Sequence, residues 1–138
     1  MKSFTLSIVT PDGVQFEGEA EELVVRTIAG DMGIMAGHVN CVTALGMGKA
    51  LVIADGKKRE AACIGGILSV LDGKVSLVPT TFEWADAIDM KRAEEAEQKA
   101  RHMLDDKEHM TNVEIRMAEA RLKRALVRQS VASTLSLH

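Results

Sequence analysis

Apolar and polar residues alternate one for one at the start of the chain. Phe4, Leu6 and Ile8 are separated by Thr5 and Ser7, the period of a strand with one buried face. Pro11-Asp12-Gly13 marks a turn, after which Val14 and Phe16 resume the alternation. Asp55-Gly56 divides 50–54 from 57–64, and Asp72-Gly73 divides 67–71 from 74–78. An Asp-Gly pair accepts the positive φ of a tight turn, so each predicts a β-hairpin. Residues 23–28 and 39–45 supply further strands, and Gly65-Gly66 predicts a bulge or a close backbone approach. Short strands with turns roughly every 8–12 residues predict an antiparallel sandwich or flattened barrel.

After Trp84 the period changes. From Asp86 to Val131 there is neither Gly nor Pro. Ile88, Met90, Ala93, Ala96, Ala100, Met103 and Leu104 recur at three- and four-residue spacing and predict one helix face. Asp86 is the expected N-cap, with Asp89 favourably placed in the first turn. Residues 105–110 form a polar break. Thr111-Asn112-Val113-Glu114 then reads as a capping box, and Ile115, Ala118, Leu122 and Ala125 define the face of a second helix. A short link between two helices implies an antiparallel pair, and 133–138 reads as a frayed end. The fold class expected is α+β: an N-terminal antiparallel β-sandwich (1–85) followed by a C-terminal antiparallel two-helix hairpin (86–138).

Two features stay open at this level. The connection 29–38 holds Gly30, Gly33 and Gly37 together with Met32, Ile34 and Met35. Those apolar residues form a docking surface if exposed and ordinary core if tucked under the sheet. The helical stripes are mostly alanine, and a buried methylene contributes only about 0.8 kcal/mol against roughly 1–2 kcal/mol of backbone entropy per ordered residue. The hairpin is therefore either a movable element of low local stability or a permanent cap.

Composition narrows the classes. With three Phe, one Trp and no Tyr among 138 residues, the core is built from Val, Ile, Leu, Ala and Met. A net charge of −3 argues against a nucleic-acid binder. Cys41 and Cys63 make no disulfide framework and read as reduced, buried residues of a cytosolic protein. No apolar run approaches the roughly 20 residues that span a bilayer, so membrane association is expected only through a partner. Charge is uneven within the hairpin. From 111 to 131 the acids Glu114 and Glu119 face the bases Arg116, Arg121, Lys123, Arg124 and Arg128, whereas acids outnumber bases from 88 to 108. Arg124 and Arg128, four apart, can reach one anion, or belong to a solvated charged face.

No catalytic set assembles. His38 and Cys41 lack a second pair for zinc and an orienting group for a nucleophile. Gly46-Met47-Gly48-Lys49-Ala50 lacks the earlier Gly and the Ser or Thr of a phosphate loop. His102, His109 and His138 read as isolated and exposed. Glu83 and Asp89 could form a carboxylate pair, but a helix-terminal acid is the commoner role. The chain is not expected to be an enzyme by itself.

Three stretches carry a family resemblance: Gly30-Asp31-Met32-Gly33-Ile34-Met35-Ala36-Gly37-His38, Gly65-Gly66-Ile67-Leu68-Ser69-Val70 and Ala87-Ile88-Asp89-Met90-Lys91-Arg92-Ala93. Together with the two-helix tail, the chain resembles over nearly its whole length the epsilon subunit of bacterial F-type ATP synthase, called delta in mitochondria. The first stretch is similar to a Gly-x-x-Gly-x-x-Pro-Gly-His-x-Pro pattern. Ala36 and Asn40 stand where the family has prolines, a departure that bears on the rigidity of the loop. The resemblance implies a ten-stranded sandwich and a place in the central stalk on the cytoplasmic face of the bacterial plasma membrane. Its partners there are the gamma subunit, the c subunits of the rotor ring, and the alpha and beta subunits of the catalytic head. Asp31 and His38 fall on the ring-facing loop. The hairpin of the family lies folded on the sandwich or extends into the head and blocks ATP hydrolysis.

Some bacterial members bind ATP in the folded hairpin. The resemblance places Ile88, Asp89, Arg92 and Ala93 on that motif and Glu83, Arg124 and Arg128 at supporting positions. Lys99 stands where an Arg is sometimes found, and offers a point charge instead of a planar fork. The arginines would hold the phosphates, and Ile88 and Asp89 the base. No cofactor is required; ATP would be a regulatory ligand. The plain alternative is an intrahelical Asp–Arg pair. The rival functional classes are a free-standing nucleotide-sensing binding module and a small enzyme.

Overall fold

The computed structural model describes residues 2–137. The chain divides into two compact units at the Trp84–Ala85 link. The first holds ten strands: β1 (Phe4–Thr10), β2 (Gly13–Ala20), β3 (Glu22–Thr27), β4 (Gly30–Ile34), β5 (Cys41–Ala44), β6 (Met47–Ala54), β7 (Lys57–Ile64), β8 (Ile67–Leu71), β9 (Lys74–Val78) and β10 (Thr81–Trp84). They form two five-stranded sheets, ordered β2-β1-β9-β8-β5 and β10-β7-β6-β3-β4.

Alternation places one face of each sheet inside. Leu6, Ile8, Leu68 and Leu77 come from the first sheet and Leu23, Val25, Ile34 and Val52 from the second, all of them buried. Both Asp-Gly pairs turn as expected, with φ of 54° and 72° at Asp55-Gly56 and 48° and 81° at Asp72-Gly73. These left-handed pairs match the twist of the strands they join. Gly66 is a close approach: a Cβ there would stand 2.1 Å from the Val78 carbonyl oxygen. Burial pushes the Cys63 thiol up to about 12, so it packs as a small neutral side chain. Cys41, expected to be buried, is only half-buried.

Three sequence expectations for this unit need correction. The pairing of β1 with β9 is parallel, so the sandwich is not wholly antiparallel. Val14 and Phe16 do not share a face. The register shifts between Ile8 and Val9, pairing Ile8 with Phe16 and Val9 with Val14. The extra residue turns Phe16 toward the core and Val14 outward. The segment 29–38 is not one long connection, because its first half is β4, paired along β3 from Leu23–Ile34 to Thr27–Gly30. Its apolar residues divide accordingly: Ile34 and Met32 join the core, while Met35 is exposed.

The second unit contains α1 (Met90–Leu104) and α2 (Asn112–Ser133), with 3₁₀ turns at Ala85–Ala87, Lys107–His109 and Thr134–Leu137. Asp86 lies in the first of these turns and is not the cap. The cap is Asp89, extended at φ −85° and ψ 103°, whose carboxylate accepts the Arg92 N–H at 3.1 Å. At α2 both halves of the capping box form: the Thr111 hydroxyl accepts the Glu114 N–H at 3.1 Å and Glu114 accepts the Thr111 N–H at 3.2 Å. The end expected to fray continues helically, α2 running to Ser133 and the last 3₁₀ turn to Leu137. His138 lies outside the described residues. Among those residues, no helix is long and apolar enough to cross a membrane.

Candidate functional site

The hairpin is closed along a stripe of small side chains. Ala93 and Ala100 of α1 and Ala118 and Ala125 of α2 are its buried alanines. Ala96, expected on this face, is exposed, and Glu97 takes the inward position one turn after Ala93. Gln129, one turn after Ala125, reaches across: its Nε2 donates to the Ala93 carbonyl at 3.3 Å and to Glu97 Oε1 at 2.8 Å. The first turn of α1 therefore meets the last third of α2. Arg101 Nε donates to the other Glu97 oxygen at 2.7 Å. The Arg101 bond first, and the Gln129 bond second, hold the Glu97 carboxyl below its ordinary value. Sequence reasoning missed both Glu97 and Gln129. The available signal was the Glu97–Arg101 spacing of four, which puts a carboxylate on the seam line instead of Ala96.

This pairing sorts the nucleotide-motif residues. Ile88 and Asp89 precede α1; Arg92 and Ala93 are in its first turn. In antiparallel helices the residues just before two facing seam positions flank the same side of the seam. Arg92 precedes Ala93 and Arg128 precedes Gln129, so both arginines flank one side, with Arg124 one turn from Arg128. Arg92 is exposed; Arg124 and Arg128 are half-buried. The residues just after the seam positions flank the opposite side. There an open groove is lined by Lys91, Glu94, Glu95, Glu97, Gln98 and Gln129. The hairpin thus has a basic and an acidic side, and a polyphosphate suits only the basic one. The Asp89 carboxylate caps the helix, which is a more specific job than a surface ion pair. Lys99 is exposed on α1. Glu83 lies on β10, in the other unit.

His109 was expected to stand alone, yet its Nδ1 lies 2.6 Å from Asp106 Oδ1 in the turn between the helices. His102 is exposed.

In the sandwich, Asp31 of β4 sits opposite Arg26 of β3, and Arg26 Nε donates to Asp31 Oδ1 at 2.8 Å. Gly48 makes room for Arg26, since a Cβ there would stand 2.6 Å from the Arg26 Cβ. That accounts for a glycine in the stretch that faintly resembles a phosphate loop. His38 lies between β4 and β5, where the chain passes from one sheet to the other; its N–H donates to the Met35 carbonyl at 3.2 Å. Its Nδ1 is 2.8 Å from the Val39 carbonyl oxygen, which fixes the proton on that nitrogen when the ring is neutral. On the outer face of the first sheet, Val14 pairs with Val9, Val9 lies one step beyond the Ile8–Leu77 pair and so beside Val78, Val78 pairs with Ile67, and Ile67 with Ala44. All five are exposed and make one apolar band across the sheet.

The architecture is thus a ten-stranded sandwich followed by a capped, alanine-seamed helix pair. The family model for the ATP synthase delta/epsilon chain beta-sandwich domain matches residues 3–85, and that for the delta/epsilon chain long alpha-helix domain matches 86–133. The chain belongs to the ATP synthase delta/epsilon chain family. It is similar to the ATP synthase epsilon chain of Shouchella clausii (38% identity over 132 residues, 96% of each chain). A second relative is the epsilon chain of Ruminococcus albus (37% over 134 residues, 96% of this chain and 98% of the relative). Among solved structures it resembles a chain of the Euglena gracilis mitochondrial ATP synthase OSCP/F1/c-ring assembly. The TM-score is 0.79 at 23% identity, covering 99% of this chain and 82% of that one. It also resembles a chain of the Tetrahymena thermophila mitochondrial ATP synthase central stalk and c-ring, with a TM-score of 0.62 at 12% identity, covering 95% and 97%. At these identities the solved structures speak to fold alone.

Proposed function

We propose that this chain is an epsilon subunit working in the central stalk of a bacterial F-type ATP synthase, peripheral to the cytoplasmic face of the plasma membrane. The sandwich binds gamma and the c subunits of the rotor ring, and the hairpin restrains ATP hydrolysis by engaging the alpha and beta subunits of the head. The observation that carries this reading is end-to-end similarity to epsilon chains from two bacteria, at 96% coverage. The apolar band Val14–Val9–Val78–Ile67–Ala44 supports a protein-docking face on the sandwich, because an exposed contiguous patch of this kind is usually covered by a partner; gamma is its occupant in this reading. Asp31 and His38 are assigned to the ring contact. The chain itself performs no chemistry; it biases which way the complex runs.

ATP is the proposed regulatory ligand of the folded hairpin. Arg92, Arg124 and Arg128 would hold its phosphates on the basic side, and Ile88 and Asp89 would meet the base beside Ala93. Ligand that prefers the closed hairpin shifts the population toward it by its differential affinity only. Two experiments test the reading. Gently stripped native membranes should release the chain together with gamma, alpha and beta; recovery solely as a free monomer rejects the stalk assignment. ATP should raise the thermal midpoint of the isolated chain, and Arg92→Ala should abolish that rise. No shift up to several millimolar ATP rejects the nucleotide site, because ligand that binds the folded chain raises its stability by mass action.

A further inference from the structure

Among the described residues, the buried positions of the two helices are alanines and Val131, and Glu97 and Gln129 meet across the seam these define. We propose that the chain of bonds Arg101–Glu97–Gln129–Ala93 is a latch that fixes the register of the two helices and holds the hairpin closed.

The alanines alone cannot do this. Ala93 and Ala100 facing Ala118 and Ala125 offer nearly equivalent small surfaces, and small side chains sliding past one another by a turn lose little burial. The polar pair removes that degeneracy. Gln129 Nε2 has two acceptors, the Glu97 carboxylate at 2.8 Å and the Ala93 carbonyl at 3.3 Å. The remaining Glu97 oxygen is taken by Arg101 at 2.7 Å. Glu97 is less exposed than its partner, its side chain 16% exposed against 52% for Arg101. Shifting or opening the pair strips a carboxylate and an amide of their partners at once, and hydrogen bonds to a charged group are worth more than neutral ones. A polar group at one seam position setting the register of paired helices is an established physical device. The depressed carboxyl of Glu97 agrees with a charge that is satisfied in the closed form.

The consequence for activity rests on the proposed function, but the latch is tested without it. The experiment is hydrogen exchange of the full-length chain without nucleotide, read by peptide. Gln129→Glu sets a second carboxylate against Glu97. It should raise exchange across 90–104 and 112–133 roughly tenfold, with strands of the sandwich unchanged as the internal control for folding. The exchanged pair, Glu97→Gln with Gln129→Glu, rebuilds an amide-to-carboxylate bond in the opposite sense and should return exchange to within about twofold of the parent. Unchanged exchange in Gln129→Glu, or failure of the exchanged pair to rescue, overturns the latch. If Gln129→Glu loosens the isolated hairpin but leaves ATP hydrolysis of the assembled complex unchanged, the latch stands and the inhibitory role of the hairpin falls.

Discussion

The two units of this chain are built from different stocks of side chains. The sandwich buries Leu6, Ile8, Leu23, Ile34, Leu68 and Leu77 completely, residues that each contribute about 1.5–3 kcal/mol on burial. The buried residues of the hairpin are Ala93, Ala100, Ala118, Ala125 and, near its end, Val131. One unit is a packed core that tolerates exposed edges and an apolar outer band. The other is a seam held by short methyls, two N-caps and one polar latch. The stocks of buried side chains predict that resistance to opening is unequal along the sequence, higher in the sandwich than in the hairpin.

The contrast can be broken first at the core. Leu23→Ala should cost about 2–5 kcal/mol and lower the denaturant midpoint of the sandwich, followed by the fluorescence of Trp84, whose Nε1 donates to the Gln15 carbonyl at 3.3 Å. Gly66→Ala should cost about 1–3 kcal/mol in the same assay, since its new Cβ meets the Val78 carbonyl. Thr111→Ala removes half of the capping box and should cost about 1 kcal/mol, visible as faster amide exchange in the first turn of α2 with no change in the sandwich. The smallest effect is expected from pH. The folded-state carboxyl of Glu97 is depressed by Arg101 and Gln129. Its contribution is therefore complete above the unfolded glutamate value of about 4.3 and is lost as pH falls through the lower folded value. Exchange-corrected opening of the hairpin should rise over that acidic window and stay flat from about pH 5 to 7; Glu97→Gln should abolish the pH dependence.

Legibility in the sequence followed locality. Alternation and the Asp-Gly pairs located most strands, because a two-residue period and a left-handed turn are written in adjacent residues. The bulge that separates Val14 from Phe16 was hidden, since it exists only relative to the partner strand. The parallel β1–β9 pairing joins residues about seventy apart and leaves no local mark. β4 was masked by its glycines, whose open side is filled by nothing at Gly30 and Gly33. Asp86 and Asp89 are both competent caps three residues apart, and the 3₁₀ turn at Ala85–Ala87 decided between them. The arginines of the candidate nucleotide site were readable from family resemblance. Glu97 and Gln129 were not, because a polar residue on an alanine stripe reads as solvent-facing until its partner on the other helix is known.

The central claim is that the hairpin is held more weakly than the sandwich and by fewer, replaceable bonds. Native-state hydrogen exchange of the isolated chain without nucleotide tests it most directly. The account predicts that amides of α1 and α2 exchange through a sub-global opening well below the free energy that protects β1, β3 and β9. Protection of the helices equal to that of those strands, rising and falling with them in denaturant, would contradict it.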